Sequence, residues 1–212
     1  MTRPVHHIAQ AAVVATALLT GACVTDANGF DESPASFAAS DIGRWVPVEP
    51  GRTRIAVESS DALSARQLRT SQGELVQTVT LANNTAVPGD NQLVAAFDYG
   101  PPSIFAADVH APKIGHYAMA PAALNGLLAE MLPRAVIAGE PQIRRNRYGL
   151  YGYVAAEYPG QAKCVLAWQV LDGADAPGGN PPRRTGIQMR VCDARAQAAD
   201  LVAPFDKLHL DM

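Results

Sequence analysis

Residues 164–171 read CVLAWQVL and residues 185–192 read TGIQMRVC, with a loop rich in Gly and Pro between them. Both runs have strand length and apolar content, so they predict a hairpin bracketed by Cys164 and Cys192. If the two cysteines stand opposite each other in an antiparallel pair, Val165 meets Val191 and Ala167 meets Met189, and one face is continuously apolar. A slip of one residue breaks both matches, because side chains alternate between faces.

Immediately upstream, LYGYVAAEY (150–158) predicts another strand, with Tyr151 and Tyr153 on one face, turning at Tyr158-Pro159-Gly160-Gln161 into the Cys164 strand. The three segments make a meander. Further upstream, Ala120–Leu132 is the best helix: Leu124, Leu127, Leu128 and Met131 form one stripe, Pro121 sits in the tolerated first turn, and Pro133 ends it. A short strand through Ala135, Val136 and Ile137 follows. Leu75, Val79 and Leu81 share one strand face, and Leu93, Ala95, Phe97 and Tyr99 another, joined by the turn-forming NNTAVPGD. Thr53–Glu58 alternates weakly as a first strand, and WVPVEPG (45–51) is an extended lead-in. Residues 100–115 show no dominant period and read as loop with room for one short strand. Downstream of the hairpin, Asp193 is the expected cap of a helix over 194–203 that Pro204 ends. Leu208, Leu210 and Met212 alternate as a last strand. The fold class is α+β: mainly antiparallel sheet with about two helices packed on it.

Composition narrows the function. The 212 residues, 48% hydrophobic, fit one domain with a sizeable core plus appendages. A net charge of −3 supplies no positive field for phosphates, so no nucleic-acid partner is expected. The 17 Gly and 16 Pro favour a loop-rich β protein over a helical bundle.

The N-terminus is organised differently. Arg3, an apolar run from Ile8 to Leu19, and the small residues Gly21 and Ala22 form a signal peptide over 1–22, too short for a permanent span. Leu19-Thr20-Gly21-Ala22-Cys23 resembles the bacterial lipoprotein box, which implies a diacylglycerol on Cys23 and a membrane anchor. Thr20 stands where the box carries Leu, so ordinary cleavage near Ala22 is the alternative. Val24, rather than Asp, follows the cysteine, which resembles lipoproteins sent to the outer membrane. Residues 23–44 are small and polar and read as a flexible tether, leaving 45–212 as a single globular domain. The expected localisation is the periplasmic face of the envelope. With Cys23 assigned to the signal, Cys164 and Cys192 remain as a disulfide pair in an oxidising compartment.

Catalytic signatures are missing. The five histidines are scattered, His110 and His116 lie six apart, and no CxxC, G-x-S-x-G, phosphate loop or dinucleotide fingerprint occurs. No cofactor or metal is expected. Glu130, Glu140, Glu157, Asp172 and Asp175 offer carboxylates, but no spacing singles out a pair. Binding chemistry has more candidates. Tyr151, Tyr153 and Trp168 can stack on sugar rings, or else fill half-buried strands. Arg144, Arg145 and Arg147, joined by Arg183 and Arg184, form a basic cluster that meets an anionic partner or is simply a solvated edge. Trp45 is either a stacking residue or a core or edge anchor.

The strings RQLRTSQGELVQTVTLANNTAVPGDNQLVAAF (66–97), NRYGLYGYV (146–154), CVLAWQ (164–169) and GIQMRVCDARA (186–196) together resemble the cellulose biosynthesis protein BcsN family, small exported proteins of alphaproteobacterial cellulose clusters. The likeness runs from about residue 45 to about 203. It implies an accessory role in making or exporting cellulose, with cellulose or the secretion machinery as partner, and brings no catalytic residues. The competing reading is a periplasmic enzyme acting on glycan or peptidoglycan through unrecognised carboxylates.

Overall fold

The computed structural model describes residues 41–58, 62–71, 73–99, 121–173 and 182–211. The expected signal peptide, Cys23, the tether up to residue 40, the loop 100–115 with His110, and His116, Asp175 and Met212 lie outside the described residues.

Eleven strands and two α-helices occur in the described residues: β1 Trp45–Val48, β2 Ile55–Val57, β3 Ala62–Arg69, β4 Glu74–Leu81, β5 Asn91–Asp98, α1 Pro121–Met131, β6 Val136–Ile137, β7 Gln142–Asn146, β8 Gly149–Tyr158, β9 Ala162–Asp172, β10 Arg184–Asp193, α2 Ala198–Asp206 and β11 Leu208–Leu210. Nine strands form one antiparallel sheet in the order β1-β3-β4-β5-β10-β9-β8-β6, with β7 also on β8, while β2 and β11 pair separately. The class is α+β, as the sequence predicts.

The hairpin register is the expected one: Cys192 opposes Cys164, Val191 opposes Val165, and Met189 opposes Ala167. The two cysteines are bonded, with Cα atoms 4.0 Å apart. Both faces of this hairpin are buried, which explains why its sequence is a near-continuous apolar run rather than a strict alternation. One face carries Val165, Ala167, Leu171, Ile187 and Met189 into a core with Leu201, Val202 and Phe205 of α2 and with the β2–β11 pair. The other carries Cys164, Leu166 and Trp168 against Leu124, Leu128 and Leu132. The sheet is therefore the middle layer between α2 and α1. Each of the three buried α2 side chains contributes roughly 1.5–3 kcal/mol, and Phe205→Ala is the truncation that would loosen the helix most.

Four expectations need correction. The strand β3 carries no sequence signal, because only Ala65, Gln67 and Leu68 of its eight residues are buried and it shows no apolar alternation. The strand β7 stands where the sequence predicts only a basic cluster; its ladder with β8, from Gln142↔Tyr153 to Asn146↔Gly149, is what makes it a strand. Gly149 closes that turn at φ 125°, a conformation that suits glycine. Asp193 does not cap α2. Its carboxylate accepts the N–H groups of Arg195 and Ala196 at 2.6 and 2.8 Å, closing a turn, and the helix starts after Gln197, whose side chain forms a capping box with Asp200. Finally, Pro204 lies inside α2 rather than ending it, and helical structure runs on to Asp206. At the other end, Gly43 donates its N–H to Arg69 O at 2.8 Å, so the turn preceding β1 is already fastened to β3.

Candidate functional site

Sheet alternation decides which of the candidate side chains meet. The pairs Arg144↔Tyr151 and Gln142↔Tyr153 lie on the face covered by α2, whereas Arg145↔Leu150 and Ile143↔Gly152 lie on the opposite face. Gly152 in turn opposes Trp168. Arg144, Tyr151 and Tyr153 therefore gather on one face, and Arg145 and Trp168 belong to the other.

The gathered group is organised by Asp206, at the last turn of α2. Tyr151 donates its hydroxyl to Asp206 Oδ1 at 2.5 Å, and Arg144 Nη2 pairs with Asp206 Oδ2 at 2.7 Å. Both carboxylate oxygens are thus engaged. The Tyr151 ring is wholly buried and packs against Phe205 with centroids 4.9 Å apart. Burial raises the Tyr151 pKa far above the usual phenol value, and the hydrogen bond and charge of Asp206 raise it further. Both effects favour the protonated phenol, which is the form that donates to Asp206. Tyr153, half-buried, donates its hydroxyl to Gln142 Oε1, and its ring centroid is 6.4 Å from that of Tyr151. Below them, Asn146 and Gln169 exchange buried amide hydrogen bonds of 2.8 and 3.1 Å, and Asn146 also donates to Phe205 O. Asn146 and Gln169 thus satisfy one another inside the sheet, and the bond to Phe205 O ties β7 to the end of α2.

Trp168 is 1% exposed, and it lies so close over Gly152 that a Cβ there would stand 2.5 Å from two indole carbons. It is a core residue, as is Tyr151, and neither ring presents a face to a ligand. Arg145 is exposed. Arg147 lies over the Tyr148 ring at 5.3 Å. Arg183 is paired with Asp98 at 2.6 Å, and Arg184 stands across the ladder from Asp98 and Asp172. The five arginines are thus divided between faces and counterions rather than pooled. Trp45 sits half-exposed on the edge strand β1, with the Arg66 guanidinium 4.6 Å from its ring centroid.

Sequence reasoning missed Gln142 and Asp206. Asp206 lies beyond a proline taken as a helix stop, and Gln142 carries no signal apart from its cross-strand position. It also missed Arg190, the most deeply buried cation among the described residues, which donates to Met131 O, Asp90 O and Pro88 O at 2.7, 2.6 and 2.5 Å. Arg190 ties the end of α1 to the β4–β5 turn, where Gly89, at φ 89°, leaves room for the guanidinium. Burial lowers its pKa.

No group of three or more His, Cys, Asp or Glu side chains suited to a metal occurs among the described residues, nor does a helix long and apolar enough to cross a membrane. The family model of cellulose biosynthesis protein BcsN matches residues 57–212. The chain belongs to that family. Its role therefore lies in cellulose biosynthesis, and the match takes in the Cys164–Cys192 hairpin and every residue of the Asp206 cluster. No curated protein and no solved structure matches the chain.

Proposed function

We propose that this BcsN-family protein is a non-enzymatic accessory of cellulose production, anchored at the periplasmic face of the envelope through lipid on Cys23, and that its Asp206 cluster contacts the glucan. The observation that carries the reading is the partly exposed Tyr153 ring, which donates to Gln142 and lies 6.4 Å from the Tyr151 ring that Asp206 holds beside Arg144. An apolar ring face beside directed donors and acceptors suits a sugar, whose C–H faces stack while its hydroxyls exchange hydrogen bonds. Both Asp206 oxygens are occupied by Tyr151 and Arg144, which suits holding a ligand better than proton transfer to one.

The test has two parts. Deleting the gene should lower extracellular cellulose while leaving synthase activity in isolated inner membranes intact, since an exported protein cannot reach the nucleotide-sugar donor. Titrating the purified protein with cellohexaose should perturb Tyr153, and Tyr153→Ala should abolish that response without changing the melting temperature by more than a few degrees. Unchanged cellulose in the deletion strain would refute the role. Turnover of cellohexaose by the pure protein would replace it with the enzymatic reading.

A further inference from the structure

The two ends of the nine-stranded sheet are guarded differently. At one end β1 has four residues with Pro47 in its interior, which removes a ladder N–H, and the Arg66 side chain lies across the Trp45 ring. Its shortness and its proline make that edge the poorer template for another strand. At the other end β7 has five residues without Pro or register shift, and it pairs only with β8 among the described residues. Alternate N–H and C=O groups of β7 therefore face outward as a template for one more strand.

The side chains along this edge specify what the template accepts. Ile143 is 54% exposed, and on β6 Val136 and Ile137 are 57% and 40% exposed. Ile143 and Ile137 share a face, because their partners Gly152 and Ala156 lie four residues apart on β8. Arg144 is balanced by Asp206, but Arg145, on the face of Ile143, is exposed and makes no ion pair among the described residues. Arg147 adds a second exposed cation just past the strand. The acidic side chains of this end, Glu140 and Glu157, lie toward β6, so the C-terminal half of β7 is basic. A second copy is disfavoured in two registers: an antiparallel two-fold centred on Arg144 sets Arg144 against its own copy, one centred on Arg145 sets Arg145 against its own copy, and like charges opposite each other are destabilising.

We propose that β7 is a docking edge for an extended acidic segment of another polypeptide, added as a further strand with an apolar residue against Ile143 and a carboxylate against Arg145. Main-chain hydrogen bonds supply affinity, and the alternating apolar and acidic positions supply selectivity.

The probe is the blocked, fluorescent peptide Thr-Val-Thr-Glu-Val-Glu-Thr, titrated against the full-length chain by anisotropy, with hydrogen exchange read at β7. The expected result is saturable binding, slowed exchange at the outward amides of β7, a loss of about tenfold or more in affinity in Arg145→Glu, and no binding of the same peptide with Lys in place of Glu or with a central Pro. Binding indifferent to Arg145→Glu, protection that maps elsewhere, or no binding would overturn the proposal. So would concentration-dependent dimerisation with protection at β7, which would make a second copy the occupant, or binding to phosphatidylglycerol vesicles in place of peptide. No glucan is present in this assay, so it stands or falls apart from the glycan-binding reading.

Discussion

Reducing the Cys164–Cys192 bond should destabilise the domain mainly through its unfolded chain. The bond joins residues 28 apart in sequence, and the loop-entropy treatment assigns such a cross-link about 12 cal/mol/K, or ~3.6 kcal/mol at 25 °C. The folded state should survive the loss, because ten consecutive register pairs already join β9 to β10, and Asn91 holds Cys192 through side-chain bonds to its N–H and C=O at 2.7 and 3.0 Å. Urea unfolding of the oxidised and the reduced protein isolates the effect, since reduction leaves both sulphurs in place. Stability should fall by about 3 to 4 kcal/mol, and the melting temperature by roughly 7 to 14 °C for a domain of this size. The double variant Cys164→Ala/Cys192→Ala should lose somewhat more, because it also removes two sulphurs that are 0% and 1% exposed from the α1-side core. A difference below about 1 kcal/mol between the oxidised and reduced forms would refute this reasoning, and so would loss of native structure on reduction.

Three further outcomes follow from the packing and the electrostatics. Gly152→Ala should cost about 1 to 3 kcal/mol or more, because its Cβ meets the buried Trp168 ring; Trp168→Leu in the same chain should recover part of that cost in thermal melts, and strict additivity would count against the contact. Arg190→Met strips donors from three carbonyls and should lower stability by at least about 3 kcal/mol, with Arg190→Lys intermediate; a wild-type melting temperature for the Met variant would show that the clamp contributes nothing. The Asp193 carboxyl is held below its usual pKa, first by the N–H of Arg195, then by that of Ala196 and by Asn84, so it binds its proton less readily folded than unfolded. The stability it contributes is present above the unfolded value, near ~3.9, and is lost as pH falls through the lower folded value; Asp193→Asn should flatten the stability profile in that acid window, as read by urea midpoints.

Much of the architecture is legible because burial leaves a mark on local composition. The register of β9 on β10 follows from two apolar strings that match residue for residue and end in cysteines. The helix α1 follows from its Leu stripe and from Pro133. The strands β4 and β5 follow from alternation around a turn-forming loop. Where an element owes its state to the strand beside it rather than to its own composition, the sequence is silent. Gln142–Asn146 holds a single apolar residue and is a strand because β8 supplies the ladder, while β3 completes the sheet with a mostly polar string. The same dependence governs the candidate site. Tyr151, Tyr153 and Trp168 are alike as aromatics, and Arg144 and Arg145 as cations; only the pleat and the layers above and below it decide that Trp168 and Tyr151 are core, that Arg145 faces away, and that Asp206 holds Tyr151 and Arg144 together. A single chain of letters specifies which side chains alternate; which of two buried faces each one enters is decided by the helices packed on either side of the sheet.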